Sequence, residues 1–263
     1  MPTAKRNHFI PKFYLSRWAD TNEKVCCLNK SERRIFQPNI TKVCTDRIWN
    51  PVMEGNFSKI ENAIWKQPLN KLIETENIDC LSSIEILNFL SFAIALHIRN
   101  KPTFKKMKSF VNQSEQELIH KLKLNHLFAN ETNNPQINEQ LDAKIFPNCF
   151  LPQNLFKSDE QHQQTNQLKS FKLGFIKLKS DTLSFLTSDN PLAYHLYNNK
   201  LESIWLALTP DLLFFGAKDM HLFSQICSFS PESICVAYNS FLFQCSNFLI
   251  SNNSAFLRMY LCL

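Results

Sequence analysis

The chain has 263 residues, 44% of them hydrophobic and 20% charged, a globular composition long enough for one large domain or two small ones. It has only three glycines, Gly55, Gly174 and Gly216. That excludes the Walker and Rossmann loops, which need several close glycines so that backbone can approach phosphate. Lysine and arginine number 29 against 23 acidic residues, and the net charge of +6 permits an anionic partner without requiring one.

Nine cysteines are scattered without a C-x-x-C pair. They predict free thiols in a reducing compartment rather than a disulfide framework or a zinc site. "MPTAKRNHF" has basic residues but no apolar run behind them, so no signal peptide is expected. The expected location is the cytoplasm, with a secreted effector as the alternative. The longest apolar run, 84–98, is interrupted by Glu85, Asn88, Ser91 and His97; it is too short and too polar to span a bilayer. No membrane is therefore expected among the partners.

In chain order, residues 8–19 begin extended through Pro11 and continue as a short helical turn. Residues 24–45 read as a hairpin, with "KVCCLN" and "RRIFQPNITKVC" flanking the polar turn "KSER". Two helix starts carry a serine three residues before a glutamate: Ser58 with Glu61, and Ser82 with Glu85. Each spacing predicts a capping box. Pro68 should kink or break the first helix. The second, running to Arg99, is apolar nearly all round and should be the central helix, closed by Pro102.

A third helix is expected over 103–128, with its lysines on a solvated face. The Asn- and Gln-rich stretch 129–169 reads as a polar lid or linker within a single domain covering 1–263. Beyond it, "FKLGFIKLK" (171–179) alternates as a strand. A second strand breaks at Asp189-Asn190-Pro191, and a third and fourth flank the turn Thr209-Pro210-Asp211. Ser230-Pro231-Glu232 opens a last helix, expected to reach Ile250, and "AFLRMYLCL" is expected as a closing strand. The fold class is α+β: a central helical bundle, an N-terminal hairpin and a C-terminal, mainly antiparallel sheet.

These pieces resemble a bacterial family of unknown function whose members open with His-x-x-Pro-x-Phe-Tyr-Leu and an aromatic. Here those residues are His8, Pro11, Phe13, Tyr14, Leu15 and Trp18. Arg99 at a helix end, Ser188-Asp189-Asn190-Pro191 after a strand, the Thr209-Pro210 turn and Asn239 on a late helix follow in the same order. Trp18 stands where the family more often has Phe, and Thr209 where it has Ser. The resemblance implies a shared site but no established reaction.

His8 is the first candidate, because a rigid proline and apolar anchors hold it near the chain start and imidazole serves as base, acid or ligand near neutral pH. Asp189 could orient His8, bind a metal or act as a base, and Asn190 could donate to an oxyanion or a phosphate. Ser188 would be a nucleophile only with a base in hydrogen-bond reach. All three also suit an ordinary turn. Arg99 reads either as a cation answering the helix dipole or as a fork for phosphate or carboxylate. Asn239 either caps a strand or completes the site; Arg17 and Glu61 are supports, and His195 and His221 are structural.

Converging His, Asp, Asn and Arg would suit phosphodiester hydrolysis. The sequence therefore reads as a hydrolase, of which a nuclease used as a toxin, effector or phage-defence component is one expected form. Its cofactor is unassigned, with a divalent metal compatible, and its partner would be nucleic acid or a small anionic ligand. The alternatives are a non-enzymatic module sensing a small anion or a protein partner, and a structural adaptor.

Overall fold

The computed structural model describes residues 7–46, 57–99, 171–198 and 200–261. The helix expected over 103–128, the stop at Pro102 and the polar stretch 129–169 lie outside the described residues. Among the described residues the strands form antiparallel sheets, so the fold is α+β. A two-stranded ribbon joins β1 (Asn7–His8) to β4 (Thr45–Asp46). One four-stranded sheet has the order β3-β2-β10-β6, made of Arg34–Phe36, Cys26–Asn29, Phe248–Ser251 and Thr187–Ser188. A second has the order β5-β9-β8-β7, made of Lys172–Lys177, Leu212–Ala217, Lys200–Thr209 and Ala193–Tyr197. The helices are α1 (Lys12–Leu15), α2 (Lys66–Thr75), α3 (Ser83–Ile98), α4 (Met220–Cys227), α5 (Pro231–Cys245) and α6 (Ser254–Arg258).

The expected hairpin is β2–β3, and its tight turn closes through Arg33 N–H on the Lys30 carbonyl at 3.3 Å. Pro11 starts α1: its carbonyl accepts from the N–H groups of Tyr14 and Leu15, both at 3.1 Å. α3 begins with the expected capping box, in which Ser82 Oγ accepts from Glu85 N and Glu85 Oε2 accepts from Ser82 N at 2.9 Å. α3 then packs aromatics against both neighbours. Phe92 lies 5.5 Å from Phe13, and Phe89 meets Phe214 of β9 edge-on at 4.7 Å.

Four local expectations need correction. Ser58 lies inside a helical turn covering 57–60 rather than at its cap, and Glu61 reaches Arg99 instead. Pro68 does not break its helix. A wide π-helical turn, Glu61–Trp65, runs directly into α2, with Lys66 N–H bonding the Glu61 carbonyl five residues back. Such a turn relieves the clash between a proline ring and the carbonyl of residue i−4. α5 stops at Cys245, not Ile250, because Lys30 Nζ takes the carbonyls of Phe243 and Ser246 and Asp189 draws the next N–H groups into β10. The closing strand is β10, and the stretch after it is helical: Asn253 Oδ1 caps the N–H groups of Ala255 and Phe256, and Phe256 and Leu257 are buried.

The sheets meet at α1. Tyr14 is fully buried; its hydroxyl donates to the Ala207 carbonyl of β8 at 2.8 Å and accepts from Thr187 Oγ1 of β6 at 3.1 Å. Trp18 Nε1 donates to the Phe185 carbonyl at 3.0 Å. The chain start therefore packs against the strand that leads into Ser188. Tyr14→Phe keeps the ring but strands a buried carbonyl and a buried hydroxyl. It should cost about 1–3 kcal/mol, read from urea unfolding. Thr187→Val in the Tyr14→Phe background should add less than it does alone, because the two share a bond.

Candidate functional site

A cleft of about 650 Å³ opens between the β1–β4 ribbon, the β3-β2-β10-β6 sheet and the end of α3. Its polar wall includes Lys42, Asp46, Asn29, His97, Asp189 and Asn190. Three cysteines, Cys27, Cys44 and Cys245, also face it.

The turn Asp189-Asn190-Pro191 is where the chain leaves β6 of one sheet for β7 of the other. Its side chains make that crossing rigid. Asp189 Oδ1 accepts from the N–H groups of Asn247 and Phe248 at 2.9 and 3.1 Å, and Oδ2 accepts from Asn247 Nδ2 at 3.1 Å. Burial holds the Asp189 carboxyl above its ordinary pKa of 3.8, against the pull of these donors. Ser188 is fully buried, and its Oγ meets Ser246 Oγ at 2.8 Å and accepts from Asn190 N at 3.0 Å.

Asn190 carries the contact that matters chemically. Its Oδ1 lies 3.2 Å from His97 Nδ1. With the carbonyl oxygen accepting, Nδ1 carries the proton and Nε2 keeps its lone pair. Burial pushes the His97 pKa below 6.5, and the Asn190 contact only partly offsets this. The imidazole is therefore neutral at pH 7, the form that takes a proton. The Tyr194 ring packs edge-on against it at 5.2 Å between centroids.

The other candidates lie elsewhere or are engaged. His8 is half-buried on β1; its Nε2 bonds the Ile40 carbonyl at 3.0 Å, and the neighbouring Phe9, not His8, faces the cleft. Arg99 is buried. Its Nη1 pairs with Glu61 Oε1 at 2.5 Å, Nη2 donates to the His8 carbonyl at 2.7 Å, and Phe57 stacks at 4.3 Å from its guanidinium carbon. Asn239 caps a strand: Oδ1 accepts from Leu186 N at 2.9 Å and Nδ2 donates to the Ser184 carbonyl at 2.8 Å. Arg17 bonds Asn70 Oδ1 at 2.5 Å. His195 and His221 are exposed.

Asp189 and Asn190 thus share the cleft with His97, while Arg99 touches His8 behind it. Sequence reasoning passed over His97. The available signal was a histidine two residues before Arg99 on an apolar helix, a spacing that puts the two on opposite sides. Cys44 was also missed. Burial, with Asp189 and Cys27 nearby, pushes its thiol well above 9, so it stays protonated and is no ready nucleophile. Among the described residues no three His, Cys, Asp or Glu side chains converge to hold a metal ion, and no helix is long and apolar enough to cross a membrane.

Fold and cleft together define an α+β protein with a polar hollow walled by a sheet-to-sheet crossing and a helix end. Residues 6–255 match the model of a family described as a protein of unknown function, DUF4238, and the chain belongs to that family. Comparison with curated proteins and with solved structures finds no match for it.

The Arg99–Glu61 pair fixes the end of α3 and therefore the approach of His97. Arg99→Met leaves Glu61 without its guanidinium in a largely buried place. It should cost roughly 3–5 kcal/mol, measured by chemical denaturation.

Proposed function

We propose that this protein is a hydrolase acting on a phosphodiester, with His97 as the general base and Asn190 fixing its tautomer. The observation that carries the reading is a neutral imidazole in a cleft with one nitrogen tied to an amide oxygen. A base must be unprotonated at working pH and held in one orientation, and this arrangement supplies both conditions.

In the reaction, His97 Nε2 takes a proton from water as the water oxygen bonds to phosphorus. The ester P–O bond breaks, and the same proton passes to the leaving alcohol oxygen. The Lys42 ammonium, on the cleft wall, offsets charge on the non-bridging oxygens. On this reading His97, not His8, is the base, and Asp189 and Ser188 shape the loop that carries Asn190. Arg99 and Asn239 then act as supports. We read the His8-to-Leu15 opening and the Ser188-to-Pro191 turn as the family's marks; Phe9 of the first and Asp189 and Asn190 of the second line this cleft. A cytoplasmic nuclease serving as a toxin, effector or phage-defence factor is one form such an enzyme could take.

A second reading, a module that senses a small anion, has a specific observation in its favour. The cleft keeps the Lys42 cation but lacks a His8–Asp189 dyad, since His8 bonds the Ile40 carbonyl and Asp189 the backbone of β10.

Purified protein assayed on single-stranded and duplex nucleic acids and on small phosphodiesters separates the two. Turnover should fall roughly 100- to 10,000-fold in His97→Ala, less in Asn190→Ala, and little in His8→Ala. Because the unprotonated imidazole is the active form and its pKa lies below 6.5, kcat/KM should rise through a pH below 6.5 and stay level above it. A well-folded wild type that turns over nothing, yet binds phosphate esters in the cleft, would establish the sensing module instead.

A further inference from the structure

His97 belongs to two walls. One is the polar cleft; the other is a second pocket of about 140 Å³ that His97 also lines. Ala93 and Ile94 of α3, Leu192 and Ile204 from the sheet side, and the rings of His97 and Tyr194 form that second wall. No polar atom lines it, so His97 presents ring carbon there while its Nδ1 bonds Asn190 on the cleft side.

The size is informative. An engineered, enclosed protein cavity of about 150 Å³ lined by aliphatic and aromatic carbon stays dry and binds benzene or xenon; this pocket has a similar volume but opens to the surface beside Tyr194. A pocket this apolar leaves the amides and ring nitrogens of a nucleobase without partners, a cost of roughly 1–3 kcal/mol for each polar group. It accepts a phenyl ring or a short branched alkyl group without that cost.

We propose that the pocket beside His97 is a specificity subsite that takes a benzene-sized apolar group. The cleft would then act on small phosphodiesters bearing an aryl or branched alkyl group next to the scissile bond. The substrate assignment rests on the hydrolase reading; the binding of an apolar group does not. Both hollows share His97, so a group seated in the subsite sits beside the residue that takes the proton. It also keeps water off one face of the imidazole.

The test has a binding arm and a rate arm. In the first, the melting temperature of the full chain is followed with and without saturating benzene. Wild type should rise, since a ligand that binds only the folded state stabilises it. Ala93→Leu, which fills the pocket, should show no rise. If that variant does not fold, Ile204→Ala enlarges the pocket and should move the preference from benzene to naphthalene. No rise in wild type overturns the subsite. So does a rise that survives Ala93→Leu, or a preference unchanged in Ile204→Ala, because benzene then binds elsewhere. The larger apolar hollow lined by Trp205, Phe229 and Phe241 is the obvious competitor.

In the rate arm, release of ethanol from ethyl phenyl phosphate and from ethyl methyl phosphate is compared, so that the leaving group is shared and only one substrate carries an aryl group. The phenyl ester should be favoured at least roughly tenfold in kcat/KM, and the ratio should fall to near one in Ala93→Leu. Turnover with no phenyl preference overturns the subsite and leaves the hydrolase standing. Benzene binding without turnover of any diester does the reverse: it removes the hydrolase reading and the substrate assignment, and keeps the apolar site.

Discussion

Ala207 of β8 gives both of its backbone groups to tyrosine hydroxyls. Its carbonyl accepts from Tyr14 at 2.8 Å and its N–H donates to Tyr238 at 3.1 Å. The reason lies in the sheet. The pairing of β8 with β7 stops at Trp205, opposite Ala193 where β7 begins, while β8 continues to Thr209. The continuing stretch has lost its neighbour on that side, and buried backbone groups without partners are costly. Tyr14 comes from the chain start and Tyr238 from α5, so satisfying one residue draws three distant parts of the chain together. Tyr14 also reaches Thr187 of the other sheet, and Tyr238 donates to the Pro191 carbonyl at 2.8 Å.

That network explains why the crossing between sheets is held where it is. Pro191 has no N–H to continue a ladder, so the strand breaks there and restarts as β7. The carboxylate of Asp189 binds the backbone that opens β10, and Asn239 ties α5 to the stretch just before β6. Ser188 and Asp189 are spent on geometry, although Asp189 also lines the cleft. Asn190 is the one that meets His97 there.

Much of this was legible in the sequence, and the exceptions share a cause. The α3 capping box, the β2–β3 hairpin and the α+β class follow from local spacing, which acts over a few residues. The Ser58–Glu61 spacing has the same form but a different outcome, because Arg99, buried 38 positions along, claims the glutamate. α5 stops early for a similar reason: Lys30, far back in the hairpin, caps carbonyls at its end. A helix boundary set by a distant side chain leaves no trace in its own neighbourhood. The N-terminal motif and the Ser-Asp-Asn-Pro run stood out as polar residues beside prolines. Their composition could not separate a reacting group from a structural one, since an aspartate that binds three N–H groups and one that orients a histidine look alike in a string of letters. His97 went unweighted because a lone imidazole on an apolar helix gives no periodic signal.

The position of His97 follows from the burial of its neighbour two residues on. Arg99 faces the interior and is anchored by Glu61, Phe57 and the His8 carbonyl. Residues two apart on a helix project about 200° from one another, so fixing Arg99 inward turns His97 outward to the cleft. The ion pair thus acts on the candidate site without lining it. The His8 carbonyl adds a link between the helix end and the chain start, which supplies the ribbon on the opposite side of the cleft. Both walls are referenced to one guanidinium. The separation between His97 and the β1–β4 ribbon is consequently a property of the buried pair, not of the loop that carries Asn190, and a group admitted to the cleft meets two walls set by the same internal contact.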